Sequence, residues 1–156
     1  MTVVGGKLIA KGEGRGVVKK SFNYLKLPDF LTIDKVFHIL RGDQTGGGHL
    51  LKSLSPDIKF LGQKAGTVKN SFGVYQAEIE YIDKLGNVKK KISTMFPDNF
   101  TEQQTIDSIS QAYKRRSQDP IPGKNNLFLS KDDNGMEILI AINLQTQKII
   151  SAYPKL

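Results

Sequence analysis

The sequence predicts an α+β fold, in which an N-terminal lobe of short helices and strands precedes an antiparallel, β-rich lobe that contains one helix. Two patterns indicate this class. Apolar and polar side chains alternate over residues 75–96 and again over residues 127–153, as they do in half-buried antiparallel strands. Between these stretches, residues 101–116 space their apolar side chains as an amphipathic helix does.

The N-terminal lobe is expected to span about residues 1–66 of a single domain, residues 1–156. Its first 35 residues mix glycine and lysine with short apolar pairs, which indicates irregular structure or short strands. Residues 35–40 are typical of the end of a short helix that stops at Gly42, and residues 50–54 have the spacing of another. The glycine-rich segment between them, residues 42–48, is hereafter the histidine loop, because a histidine lies on each side of it.

The C-terminal lobe, about residues 67–156, begins with a predicted hairpin. Residues 72–81 form its first strand, residues 83–87 its turn and residues 88–96 its second strand. The second strand should bury one set of alternate side chains and expose the other. The expected buried set is Ile92, Thr94 and Phe96, and the expected exposed set is Lys89, Lys91 and Ser93.

The rest of this lobe is predicted to be a helix followed by a three-stranded meander. Thr101 and Gln104 have the spacing of a capping box that starts the helix. The meander strands are expected over residues 127–129, 136–143 and 148–153. Alternation in the last strand places Ile149, Ser151 and Tyr153 on one face.

Composition favours a polyanionic partner. Lys and Arg total 23 against 15 Asp and Glu, so the formal net charge is +8, which suits nucleic acid, although charge of this kind can also serve solubility alone. The absence of cysteine excludes disulfides, thiolate metal sites and cysteine nucleophiles. No apolar run approaches the roughly 20 residues that span a bilayer, so we expect no membrane anchor.

The chain has two histidines, His38 and His49. RNA is cleaved without a metal when its 2′-hydroxyl attacks the adjacent phosphorus, which needs a base for that hydroxyl and an acid for the leaving 5′-oxygen. A pair of imidazoles can supply both near neutral pH. Each histidine can equally be a hydrogen-bonded or exposed side chain without a catalytic role, and spacing alone does not decide. No compact third ligand accompanies them and Asp43 suits a turn, so we expect no metal site and no cofactor.

Several segments resemble the EndoU nucleases. The sequence HILRGD at residues 38–43, followed by GGGHLL at residues 46–51, is similar to the paired-histidine signature of this family, which includes the coronavirus uridylate-specific endoribonuclease. Residues 67–72, the basic hairpin strand and residues 153–156 match in the same order. The resemblance spans residues 36–156, and it implies the EndoU fold and a cleft between the two lobes.

The resemblance implies roles for residues at matched positions. His49 is the implied general base and His38 the implied general acid. Lys89 matches the catalytic lysine, because it lies three residues past the turn glycine and four before Ser93, with Lys90 and Lys91 as alternatives. Tyr153 is the implied residue that stacks on or orients the sugar and base. The remaining implied contacts to phosphate or base are Gly47, Gly48, Ser93, Thr94 and Ser151.

The resemblance also implies an activity and a setting. The activity is a metal-independent endoribonuclease that forms a 2′,3′-cyclic phosphate without a cofactor. Compact domains of this kind resemble bacterial toxin tips of contact-dependent growth inhibition, which are secreted or delivered and cleave tRNA in the cytoplasm of a target cell. A monomer neutralised by an acidic immunity protein is then expected. Two alternatives stay open: a non-catalytic, basic RNA-binding module of the same fold, and a structural or partner-binding domain.

Overall fold

The computed structural model describes residues 25–156. Most of the segment predicted to be irregular or to form short strands, residues 1–24, lies outside the described residues. The elements, in chain order, are α1 (Ile33–Val36), which continues as a π-helical turn (Phe37–Arg41), a 3₁₀ turn (Leu51–Ser53), β1 (Lys59–Gln63), β2 (Tyr75–Ile82), β3 (Val88–Met95), α2 (Glu102–Arg115), β4 (Leu127–Lys131), β5 (Glu137–Asn143) and β6 (Lys148–Pro154). The α+β class is confirmed.

The first sheet has the order β1-β2-β3 and is antiparallel throughout. The predicted hairpin is its β2–β3 pair. Strand β1 was not predicted from the sequence, because four of its five residues are exposed and show no alternation. A register irregularity between Phe60 and Gly62 further disturbs the pattern. Consequently β1, which belongs to the expected N-terminal lobe, pairs with β2 of the expected C-terminal lobe.

The prediction of which β3 face is buried was wrong, although Phe96, one residue past the strand, is fully buried as expected. Ser93 is 1% exposed and Met95 is fully buried, whereas Ile92 is 41% exposed. The reason is that this face packs against the chain that follows His49, where Leu51 contacts the buried cluster to which Met95 belongs. A polar Ser93 is tolerated inside because its hydroxyl is hydrogen-bonded there.

The second sheet has the order β4-β5-β6, as the predicted meander requires. The capping box of α2 is also confirmed: Thr101 Oγ1 accepts from the Gln104 amide at 3.0 Å, and Gln104 Oε1 accepts from the Thr101 amide at 2.8 Å. The helix buries its apolar stripe in the main core together with the sheet. The shared buried side chains include Ile106, Ile109, Ala112, Phe128, Ile138 and Ile140.

Strand β6 contains an irregularity that changes which side chains share a face. Ser151 pairs with Ala141 while Ile149 pairs with Ile142, so the register shifts by one residue between them. Ile149 is therefore 2% exposed and faces the core. Ser151 and Tyr153 keep a common, half-exposed side. The expectation that Ile149 shares their face was wrong.

The segment that bears the histidines joins both sheets. Leu31, Val36, Ile39, Leu40 and Leu50 belong to the same buried cluster as the second sheet. The helix predicted after His49 is a single 3₁₀ turn. Extended backbone follows at Leu54, and Ser55 precedes a proline, which disfavours helix. Among residues 25–156, no helix has the length and apolar character needed to cross a membrane.

Candidate active site

Backbone hydrogen bonds hold the two ends of the histidine loop together. The Gly48 amide donates to the His38 carbonyl at 3.1 Å, and the His49 amide donates to the Ile39 carbonyl at 2.8 Å. Gly47 lies between them with φ +76°, where a Cβ would overlap the His38 carbonyl oxygen. Only glycine fits this position without displacing backbone. The two histidines are thereby brought close together.

The His38 ring is fixed by Asp43. Its Nδ1 lies 3.0 Å from Asp43 Oδ2, and the Thr45 amide donates to Asp43 Oδ1 at 2.8 Å. Partial burial raises the pKa of Asp43, but hydrogen bonds from Thr45 and His38 outweigh it and hold the pKa below its usual value. An ionised carboxylate only accepts hydrogen bonds, so His38 Nδ1 donates and Nε2 remains for a ligand.

The His49 ring is buried, with 6% of the residue exposed. Its Nδ1 lies 2.8 Å from the Thr94 carbonyl oxygen and 2.9 Å from Ser93 Oγ. A carbonyl oxygen can only accept, so Nδ1 carries a proton and the lone pair of the neutral ring lies on Nε2. This tautomer suits a base that receives a proton on Nε2.

The environment keeps His49 uncharged. Burial, together with the nearby positive charge of Lys91 and of His38, lowers the pKa of His49 to about 3, although the Thr94 hydrogen bond opposes the shift. The ring is consequently neutral across the physiological range. His38 and His49 thus differ in their surroundings: one is paired with a carboxylate, and the other is desolvated among cations.

Among the lysines of the described residues, Lys91 is the one that lines the cleft of His49. Burial lowers the pKa of Lys91, while the neighbouring Asp43 carboxylate raises it by a smaller amount. A cation in this position can stabilise negative charge that develops in the cleft.

The structure does not bring Lys89 to the histidines. Lys89 Nζ lies 4.0 Å from Asp83 Oδ2 at the hairpin turn. Lys90 is exposed and pairs across the sheet with Glu80, on the opposite face from Lys91. Lys89 was favoured because of its sequence distance from the hairpin turn. Which lysine reaches the site depends instead on where the histidine loop crosses β3.

The cleft has a volume of about 330 Å³. Its floor and sides combine the histidine loop with strands of both sheets. The lining residues are Thr45, Gly46, Gly47, His49, Lys91, Ile92, Thr94, Ser151 and Tyr153. The Tyr153 ring lies 5.4 Å from the His49 ring between centroids, at an interplanar angle of 27°. His38 borders this cleft through Gly47, because a Cβ there would lie 3.2 Å from His38 Cε1.

Two residues predicted to contact substrate are engaged within the protein instead. Ser93 Oγ donates to the Gly48 carbonyl at 2.9 Å and lies behind His49. The Gly48 amide donates to the His38 and Ile39 carbonyls. By contrast, within residues 25–156 the Gly47 amide donates to no protein group. Of the two glycines, Gly47 is therefore the one that can donate to a phosphate.

The assembled groups suit proton transfer at a phosphodiester: a neutral imidazole, a second imidazole held by a carboxylate, a lysine and a backbone amide. Sequence reasoning assigned Asp43 to a turn and missed its bond to His38. The HILRGD segment holds a signal for it, since its acid lies five residues after the histidine and next to the turn glycine. Among the described residues, no three His, Cys, Asp or Glu side chains are placed to hold a metal ion.

The model of the bacterial EndoU nuclease family matches residues 34–156. This range contains both histidines, Lys91 and every residue that lines the cleft. No curated protein matches the chain.

Proposed function

The chain belongs to the bacterial EndoU nuclease family, and from this premise we propose that it is a metal-independent endoribonuclease. The 2′-oxygen of the substrate bonds to the adjacent phosphorus, and the bond from phosphorus to the 5′-oxygen breaks. The products are a 2′,3′-cyclic phosphate and a 5′-hydroxyl. The observation that supports this reaction best is a buried, neutral His49 beside a His38 that is held by a carboxylate.

His49 acts as the general base. Its Nε2 accepts the proton of the 2′-hydroxyl while Nδ1 keeps its bond to the Thr94 carbonyl, 2.8 Å away. The positive ring that forms is stabilised by this carbonyl, as an oriented acceptor stabilises imidazolium in other acid-base sites. The Ser93 hydroxyl, 2.9 Å from Nδ1, helps to fix the orientation of the ring.

His38 acts as the general acid. It acts in its doubly protonated form, in which Nδ1–H donates to Asp43 and Nε2–H is the proton that is transferred to the leaving 5′-oxygen. Each turnover leaves a proton on His49 and removes one from His38. Exchange with water restores both rings before the next cleavage.

Lys91 and the Gly47 amide stabilise the phosphorane. The transition state carries more negative charge on its nonbridging oxygens than the substrate does, so preorganised donors aimed at those oxygens lower the barrier. Both groups line the cleft. Lys91 takes the place in the triad for which the sequence favoured Lys89.

Tyr153, Thr94 and Ser151 hold the nucleotide whose 2′-hydroxyl attacks. Tyr153 presents its ring beside His49, which suits contact with a sugar or base. The hydroxyls of Thr94 and Ser151 lie along the same cleft and can exchange hydrogen bonds with a base edge.

The proposed setting is that of a toxin delivered to a target bacterium, where it cleaves tRNA in the cytoplasm. A formal charge of +8 supports binding of a polyanion and neutralisation by an acidic immunity protein. Induced expression in a bacterial cytosol should arrest growth and yield cleaved tRNA. The His49→Ala variant, expressed to the same level, should do neither, and equal arrest by that variant would contradict the setting.

The activity is tested by incubating the purified chain with total tRNA in excess chelator and mapping the new termini. We expect cyclic phosphate and 5′-hydroxyl ends, and a rate lower by about 10²- to 10⁴-fold for His38→Ala and for His49→Ala. Lys124→Ala, at an exposed loop position, is the matched control. Loss of cleavage in chelator would overturn metal independence. RNA binding without cleavage would establish the non-catalytic alternative.

A further inference from the structure

A second cavity, of about 740 Å³, adjoins the active-site cleft. Thr45 lines both spaces. Asp43, which holds His38, also lines the second cavity, so this cavity lies on the His38 side of the histidine loop. Its opposite wall comes from the end of β2 and the turn that follows. Its volume lies within the range of cavities that bind small organic ligands.

The second cavity lies next to the cleft along one face of the first sheet. Tyr81, which lines the cavity, pairs with Lys89, and Ile79 pairs with Lys91. Directly opposed residues share a face, and two residues of strand advance it by roughly 7 Å. An RNA strand that extends from Lys91 along this face therefore reaches Tyr81 next.

The tyrosines of the described chain divide into two pairs. The hydroxyls of Tyr75 and Tyr113 are hydrogen-bonded inside the protein. Within residues 25–156, the hydroxyls of Tyr81 and Tyr153 have no protein partner. Tyr153 lines the cleft and Tyr81 lines the second cavity. An aromatic ring at such a surface is a platform on which any base can stack.

Charge in the second cavity is segregated. Asp43 and Asp57 line the side of the cavity that is nearer the histidine loop, and Lys84 lines the side formed by the hairpin. Lys84 forms no ion pair within the described part of the chain, in contrast to Lys89, which is near Asp83. A phosphate group is accordingly attracted to the Lys84 side.

We propose that the second cavity binds the RNA on the 3′ side of the cleaved phosphate, with a base stacked on Tyr81 and a phosphate at Lys84. This inference rests on the proposed function. The leaving nucleotide departs next to the acid, His38, and the cavity lies on that side. Tyr153 and Ser151 hold the nucleotide on the other side of the cut.

The experiment compares three substrates. The first is a nucleoside 3′-(4-nitrophenyl phosphate), which has no nucleotide beyond the phosphate. The second is an oligonucleotide extended by three nucleotides on the 3′ side of one cleavable bond. The third is extended by three nucleotides on the 5′ side and ends in the same 4-nitrophenyl phosphate, so that no nucleotide follows its cleavable bond. The kcat/KM of each is measured for the wild type, Tyr81→Leu, Tyr81→Phe and Lys84→Ala. Lys124→Ala serves as the matched lysine control.

We expect Tyr81→Leu to lower kcat/KM by about 5- to 100-fold on the 3′-extended substrate only, the range that one stacked base provides. Tyr81→Phe keeps the ring and should match the wild type. Lys84→Ala removes an exposed side chain and should weaken the same substrate alone. Equal effects on all three substrates, or none, would overturn the proposal. If the wild type cleaves none of them, the proposed function itself fails.

Discussion

Asp43 and His38 form a hydrogen-bonded pair at the start of the histidine loop, with Asp43 Oδ2 3.0 Å from His38 Nδ1. The second carboxylate oxygen, Oδ1, accepts from the Thr45 amide at 2.8 Å, so the carboxylate is held at both oxygens. This arrangement determines which nitrogen of His38 can reach a substrate. Asp43 is therefore a positioning residue for the proposed acid.

Asp43→Asn should slow RNA cleavage by about 10- to 1,000-fold, because an amide can donate to Nδ1 and favour the wrong tautomer. A nitrophenyl ester, whose leaving group departs as a stable anion, needs no acid and should be cleaved at nearly the wild-type rate. Rates on both substrates measure this difference. An equal loss on the two would show that Asp43 only supports the fold.

Lys91→Ala should lower kcat by about 10²- to 10³-fold, which is typical when one donor to a developing oxyanion is lost. Lys89→Ala is the matched variant on the same strand face. It should stay within roughly threefold of the wild type, since exposed pairs such as Lys89 with Asp83 contribute little. Single-turnover rates on one RNA would decide, and the reverse order would restore Lys89 as the catalytic lysine.

His49 should make stability depend on pH. Its pKa is about 3 in the folded protein, below the ordinary value of about 6.5. Because the unfolded state binds this proton more readily, stability is fully present above pH 6.5 and is lost as the pH falls toward 3. Urea unfolding should show a loss of about 2 kcal/mol through this group between pH 7.5 and pH 5.

The matched variant for that titration is His49→Gln. Its free energy of unfolding should lack the pH dependence that His49 contributes, while the carboxylates titrate as before. His38→Gln should retain it. NMR of the His49 ring in the wild type gives an independent measure. A ring that protonates near pH 6.5 in the folded protein would contradict the assignment of a desolvated, neutral base.

The sequence predicted the elements whose patterns are local. The capping box at Thr101, the hairpin and the meander depend on side chains a few residues apart, so periodicity was sufficient. Strand β1 and the β6 irregularity near Ile149 depend on pairing with distant strands and have no local signature. The same holds for β3, where the buried face is set by the chain that follows His49.

The site was predictable to the extent that its residues are close in sequence. His38, His49 and Gly47 belong to one short segment, and both the motif and the structure bring them together. Lys91 is more than 40 residues away from His49, and its selection over Lys89 follows from the crossing of the loop over β3. Ser93, which the sequence predicted to contact substrate, places its hydroxyl against the His49 ring instead.

The central claim is that His49 is the base and His38 the acid. An RNA whose leaving 5′-oxygen is replaced by sulfur separates these roles, because a thiolate departs without protonation. We expect His38→Ala to cleave the 5′-thio substrate at nearly the wild-type rate, whereas His49→Ala remains slower by about 10²- to 10⁴-fold. If the 5′-thio substrate instead restored the rate of His49→Ala and left His38→Ala slow, the assignment of base and acid would be contradicted.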